Sequence, residues 1–430
     1  MMIASTLSIN NKRLKESIEK LAEIGQVADG GVTRIAFSQE DIAARNLVQN
    51  WMIEAGMNVR IDAAGNIIGR YEGKQPNFPA LATGSHIDTV PNGGRYDGNL
   101  GVLAGIEMVR TFNENNIRLQ HPIEVIVFTD EENTMIGSKA MAGTAKYDAE
   151  FYRLADGTPI EESLAKMGGD WAEIVSAKRD RSDIAAYIEL HVEQGGILDN
   201  LGKQIGVVEG VVGMYRGIIT VTGKANHAGT TPMEMRQDAL VAASQIVLAV
   251  NDLGKRMPGK QVATVGKFNV FPNATNSVPG LVEMSIDVRD LSAENVKNLI
   301  AKLEQQLTEI AANTQTKISL KPYLWVDPTL AAVEIQKAIA NTCNQLGLSH
   351  YSLPSRAGHD AQEIGRFTDM GMIFVPSIEG ISHSPKEYTT LEQCTQGTNV
   401  LLNAFLQLDQ LYSTQILHQS QHPPANQFAG

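Results

Sequence analysis

Cysteine is nearly absent: 430 residues contain only Cys343 and Cys394. Both lie in stretches with helical apolar periodicity, so they are expected as core thiols, which leaves no disulfide framework and no thiolate metal site. Such usage suits a reducing compartment. Excess positive charge is missing as well, with 36 Lys and Arg against 48 Asp and Glu and a formal net charge of −12. That balance argues against nucleic acid or an anionic membrane as a partner, and an anionic substrate would need a local cation. Aromatics make up 6% of the chain, and Trp51, Trp171 and Trp325 are scattered, so no stacking platform for bases is expected. No uncharged apolar run reaches spanning length, and the opening MMIASTLSINNKRLKESIEK lacks the n- and h-regions of a signal peptide. The expectation is a cytoplasmic protein.

What is present is an ordinary globular composition on a chain long enough for two domains. Ser38 followed by Asp41 resembles a capping box that opens an amphipathic helix, while Ala80 to His86 and Ile123 to Thr129 are short apolar strands. Gly98 to Asn116, between those strands, has helical periodicity and makes a βαβ unit. The fold class predicted is α/β, with a mixed, mainly parallel sheet and helices on both faces. From Tyr215 the pattern becomes strand (to Gly223), helix (Met233–Leu253), strand (Val262–Phe271), strand (Leu281–Arg289), helix (Ala293–Ala312) and strand (Lys317–Tyr323). That is the βαββαβ order of a ferredoxin-like α+β unit. The predicted division is a catalytic domain of residues 1–212 and 329–430 and an inserted domain of residues 213–328. The stretch 413–430, rich in Gln, Pro and Ser, is expected as a disordered tail.

Chemistry gathers where parallel strands end. His86 closes one strand, Asp88 follows on the same face, and Asp97 opens the next helix; the following strand ends in Asp130-Glu131-Glu132. Another apolar strand closes with His191, and His383 sits on a loop after Met372 to Pro376. Each alone is ordinary turn chemistry. Together His86, Asp97, Glu132, His191 and His383 form an N/O-rich ligand set suited to Zn²⁺ or Mn²⁺, with one carboxylate able to bridge two ions about 3.5–4 Å apart. Asp88 would orient His86 from behind, and of the two adjacent glutamates one could ligate a metal while the other serves as a base.

The segments SHIDTVP, RYDGNLGVLAG, FTDEE, ELHVEQG, ANHAGTTPM, SIDVRD, AGHDAQ and SHSPKEY, in this order, resemble the aminoacylase and carboxypeptidase clan of di-metal hydrolases. Within it they are similar to the N-carbamoyl-L-amino acid hydrolase, allantoate amidohydrolase and β-ureidopropionase branch, to which a histidine at position 191 also points. The resemblance implies two divalent ions per subunit, Zn²⁺ or Mn²⁺, with His86 and His191 on one, Glu132 and His383 on the other, and Asp97 bridging. It implies Glu131 as general base, His227 as stabiliser of the oxyanion, and Arg289 as clamp for the substrate carboxylate. Asn276 and Gln194 would read the substrate's polar groups, as would the backbone at Gly358. Because relatives place His227 in the neighbouring subunit's site, a homodimer through the inserted lid domain is implied. Met214 stands where relatives often carry Gln, which bears on substrate identity. The expected partner is a small carboxylate-bearing substrate whose carbamoyl or ureido C–N bond is cleaved. An N-acyl amino acid deacylase or exopeptidase of the same clan, or a metal-binding scaffold without activity, are the alternatives.

Overall fold

The computed structural model describes residues 7–421 and divides into two compact units, residues 1–210 with 330–430, and residues 211–329. The larger unit is built on a nine-stranded sheet. Its order is Asn58–Ile61, Ile67–Tyr71, Ile123–Phe128, Ala80–His86, Ile184–Val192, Asp369–Val375 and Ile205–Val211, with Thr329–Leu330 and His350–Ser355 at that edge. The four central strands are parallel, and antiparallel pairs flank them, so the sheet is mixed and mainly parallel as expected. The central strands are buried along almost their whole length, as strands covered on both faces must be.

Alternation along these strands sorts side chains between two layers. Val125, Val127, Ile188, Leu190, Ile373 and Val375 join the main core with the helices Asn99–Glu114, Val333–Gln345 and Leu391–Gln421. Glu189 and His191 point to the other face, where the short helix Asp360–Ile364 gives its Ala361 N–H to Glu189 and His359 packs against the His191 ring. In register, His86 stands beside Phe128 and His191 beside Phe374, so the ends of all four parallel strands open on one edge.

The smaller unit is built on a five-stranded antiparallel sheet, ordered Phe268–Phe271, Leu281–Asp290, Gly213–Thr222, Lys317–Val326, with Val262–Thr264 also beside Leu281–Asp290. Helices Ala239–Arg256 and Ala293–Thr314 supply Ala242, Ile246, Leu299 and Leu303 to a core shared with Ile219, Val282, Ile286 and Val288. The order is the anticipated βαββαβ with one strand broken. Between the pairs Thr264↔Asp287 and Phe268↔Met284, three residues stand opposite Ser285 and Ile286, a one-residue bulge.

Several boundaries differ from expectation. The helix expected from Met233 begins at Ala239, where Asp238 accepts the Leu240 and Val241 N–H groups. Ser38 caps its helix through the Asp41 N–H, but Asp41 accepts from Phe37 and not from Ser38, so the box closes one residue early. Residues 413–421 are no disordered tail: the last helix runs from Leu391 to Gln421, and residues 422–430 lie outside the described range. Buried Tyr412 donates to Asp369, and Gln and Leu are good helix formers, so helix continues where composition alone suggested disorder. His121, expected at the surface, is fully buried against Phe78 with Nδ1 at 2.6 Å from the Pro79 carbonyl. No helix among the described residues is long and apolar enough to cross a membrane.

Phe405, at 1% exposure on the last helix, is part of the main core. Phe405→Ala is expected to cost about 3–5 kcal/mol, read as a lowered urea midpoint; an unmoved midpoint would mean that the last helix does not help to hold the larger unit together.

Candidate metal centre

Four neighbouring strand ends deliver the site. His86 is the last residue of its strand, and His191 the penultimate residue of the next. The acidic run 130–132 follows the strand Ile123–Phe128, and the loop after Asp369–Val375 carries His383. Asp97 lies just before the helix Asn99–Glu114, preceded by a turn that only glycine fits at residue 98. Gly98 has φ 65°, and a Cβ there would lie 2.4 Å from His86 Nε2. Asp130, Gln194 and His383 also adopt positive φ, at 56°, 57° and 52°, a concentration of backbone strain typical of functional loops.

The imidazole tautomers follow from their partners. His86 Nδ1 is 3.0 Å from the Asp88 carbonyl and His191 Nδ1 is 2.9 Å from the Val192 carbonyl. A carbonyl only accepts, so each Nδ1 carries the hydrogen and each Nε2 presents a lone pair. Those lone pairs face more acceptors. His191 Nε2 is 3.2 Å from Asp97 Oδ1, and His86 Nε2 is 3.9 Å from the same oxygen and 3.5 Å from Glu131 Oε2. The other oxygen, Asp97 Oδ2, is 3.2 Å from His383 Nε2, which is 3.6 Å from Glu132 Oε2. Two groups result, His86–Asp97–His191 and Asp97–Glu132–His383, each with ligand atoms within 4.8 Å of one another and with Asp97 common to both. Converging lone pairs of imidazole and carboxylate fit divalent cations.

The electrostatics show what the centre needs. Burial opposes charge on Asp97, yet hydrogen bonds from His191 and His383 outweigh it and hold the carboxyl well below its usual range. His191, despite burial, is pushed up to about 9 by Asp97, and His383 likewise to about 9, chiefly through its bond to Asp97. Protons thus serve as counter-charges at positions a cation would take. Burial, then Asp360, Glu132, Asp88 and Asp97, pushes the Glu131 carboxyl well up.

Asp88 does not orient His86 through its carboxylate: Oδ1 is 3.7 Å from Nδ1, while Oδ2 accepts the Glu132 N–H at 3.2 Å. The backbone carbonyl of Asp88 orients the ring, and its carboxylate fixes the acidic loop. Gln194 donates from Nε2 to Asp97 Oδ2 at 2.9 Å, leaving Oε1 buried without a hydrogen-bond partner among the described residues. Gly358 is exposed beside the short helix, with open space where a Cβ would be.

The remaining residues lie in the smaller unit. His227, on the two-residue strand Asn226–His227, accepts the Gly229 and Thr230 N–H groups at Nδ1, 3.0 and 3.2 Å away, which places its hydrogen on Nε2. Asn276 joins the same turn through its carbonyl, which accepts the Ala228 N–H at 2.9 Å. Arg289 makes a fork to Asp287, Nε–Oδ1 2.8 Å and Nη2–Oδ2 3.1 Å.

Sequence reasoning missed four supporting groups. Glu189 is fully buried and accepts from Ser85, Tyr187 and Ala361 N–H, so its place in a third His/Glu cluster with His191 and His359 is structural support. His359 contacts Ser355 at 2.8 Å and packs on His191 with centroids 4.5 Å apart. Asp360 is wholly buried, its carboxyl pushed well up by burial and then by Glu189. Glu387 accepts the Tyr96 and Asp97 N–H groups at 2.9 and 3.1 Å and the Ser382 hydroxyl at 3.0 Å, tying the Asp97 turn to the His383 loop. An acid inside an apolar strand, as at Glu189, was the one available signal.

A model of peptidase family M20/M25/M40 matches residues 82–407. The chain belongs to this family. An N-carbamoyl-L-amino acid amidohydrolase of Geobacillus stearothermophilus is 40% identical over 407 residues, 94% of this chain and 99% of that one. An allantoate amidohydrolase of Bacillus subtilis is 35% identical over 408 residues, 94% of this chain and 98% of the relative. A crystal structure described as a hydantoinase/carbamoylase family amidase from Burkholderia multivorans is 36% identical, covers 93% of this chain and 98% of that chain, and superposes with a TM-score of 0.87.

Gly98→Ala is expected to fold, by circular dichroism, yet to bind less divalent metal by elemental analysis, because its Cβ would displace His86. Parental metal content in this variant would show that His86 is not a ligand.

Proposed function

We propose that the chain is a di-metal amidohydrolase that cleaves the carbamoyl C–N bond of an N-carbamoyl-L-amino acid or of allantoate. The observation carrying this reading is Asp97, whose two oxygens each face a separate ligand group while Glu131 stands beside the first. His86, Asp97 and His191 would hold one ion and Asp97, Glu132 and His383 the other. Two divalent ions, Zn²⁺ or Mn²⁺, would supply Lewis acidity for the carbonyl and lower the pKa of water. Glu131 takes the proton of the attacking water and passes it to the leaving nitrogen. Hydrolysis releases the amino group and carbamate, which decomposes to ammonia and carbon dioxide. The unpartnered Oε1 of Gln194 suits a ureido N–H, and the backbone beside Gly358 is open to the substrate.

We assign the unit 211–329 the roles of lid and dimerisation domain. His227, with its hydrogen on Nε2, would donate to the oxyanion, and Arg289 would exchange its fork to Asp287 for the substrate carboxylate. Asn276 would support that recognition from the His227 turn. Within this unit His227 pairs with Ser277, ahead of the strand Leu281–Asp290, whereas Arg289 is near that strand's far end. Eight residues of strand separate Leu281 from Arg289, on the order of 26 Å at the usual rise. That separation supports a homodimer in which His227 and Arg289 reach one substrate from different copies. Cys343 and Cys394, both buried and unpaired, suit a cytoplasmic enzyme.

A screen of metal-loaded protein against allantoate, N-carbamoyl-L-amino acids, N-carbamoyl-β-alanine, N-acetyl amino acids and dipeptides should show ammonia release from the carbamoyl or ureido substrates; turnover of acyl substrates alone would reverse the reading. Glu131→Gln should keep its metal and lose about 10²–10⁴-fold in kcat, and unchanged turnover would remove Glu131 as base. Mixing Glu131→Gln with His227→Ala should restore activity that neither variant has alone, because each mixed dimer contains one intact site. Continued silence after verified subunit exchange would argue against a shared site.

A further inference from the structure

Beside the metal centre, within the larger unit, lies a cavity of about 530 Å³ that neither the ligand set nor the lid residues account for. Its walls are Ile35, Phe37, Val90, Tyr152 and Leu154, and Glu132 lies at its inner edge. That volume is within the range of small-molecule pockets. Ile35 leaves 42% of its surface exposed, while Phe37, Leu154 and buried Tyr152 are backed by a small hydrophobic cluster, so the wall is apolar and partly open. The charged groups present are of one sign: Asp88, Asp130, Glu132 and Asp156 line the cavity with the neutral Ser38, Thr89 and Asn133, and no Lys, Arg or His does.

We propose that this cavity is the specificity pocket for the substrate's α-carbon substituent, and that it selects N-carbamoyl-L-amino acids with an apolar side chain of about leucine or methionine size. The inference rests on the carbamoyl-hydrolysis reading and narrows it. In such a substrate the α-carbon is two bonds from the scissile carbonyl carbon, so its side chain starts next to the centre and next to Glu132. The ureido group belongs at the cations. The carboxylate is turned away by a pocket that contains four acids and no counter-cation. The side chain is the one part left, and the apolar walls are what it would bury. Allantoate has a second ureido group in that position, which would give up its hydration there and cover less of Ile35, Phe37 and Leu154 than a leucine side chain does.

The test compares kcat/KM for N-carbamoyl derivatives of glycine, L-leucine and L-aspartate, and for allantoate, with the Mn²⁺-loaded full chain. L-Leucine should be preferred over glycine by about ten-fold or more, the scale at which an apolar pocket discriminates missing methylenes, with L-aspartate and allantoate poorer still. Ala155→Trp, at an exposed lining position, should fill the pocket and lower the leucine-to-glycine ratio about ten-fold. Leu154→Ala, which removes wall area, should lower it as well and serves if the tryptophan variant does not fold. A parent that prefers glycine, aspartate or allantoate overturns the proposal, as does a ratio unmoved in both variants while N-carbamoylglycine is still hydrolysed. If the parent releases ammonia from none of these substrates, the carbamoyl-hydrolysis reading itself falls, a result distinct from failed side-chain selection.

Discussion

The structure turns on a crowd of lone pairs around one carboxylate. Asp97 sits among His86, His191, Glu132 and His383; the carboxylates only accept, and His86 and His191, with Nδ1–H turned to carbonyls, aim Nε2 lone pairs into the same space. Buried acceptors facing one another are unfavourable unless something positive lies between them. The fold therefore needs protons or cations there, and the surrounding architecture keeps the repelling groups from separating. The parallel strands hold His86 and His191 by register, carbonyls lock their tautomers, and Glu387 pins the turn that presents Asp97.

This constraint also explains the strained backbone at the rim. Positive φ at Gln194 and His383 accompanies side chains that both reach Asp97 Oδ2, and at Asp130 it accompanies a turn held by Thr134. Such conformations cost of order 1–3 kcal/mol each and persist because the sheet beneath is buried on both faces. A rigid, apolar platform makes a costly loop tolerable.

Much of this was legible in the sequence. His86, His191 and the acids at 131 and 132 could be placed because parallel strands announce themselves as apolar runs and chemistry collects at their ends. The βαββαβ unit was readable because its period switches from 3.6 to 2 cleanly, apart from the bulge near Gly266, which no local pattern marked. Groups that act through tertiary contact stayed hidden. Asp88 looked like a partner for His86, but which of its oxygens faces the ring depends on where Glu132 lands. Glu387 was part of a quoted segment, yet its bonds reach back some 290 residues. His121 was misjudged because burial there is supplied by distant chain.

The Asp97 turn is fastened from both sides by chain far apart in sequence. His86 and His191 come early, whereas His383, Ser382 and Glu387 come after residues 211–329. During synthesis, then, the emerging polypeptide holds half of a cation site for as long as the intervening unit takes to be made. Asp97 in that interval has neither its second histidine side nor the carboxylate that fixes its amide. The second candidate ligand group is complete only with the final stretch of chain, so a prematurely ended product lacks it by construction.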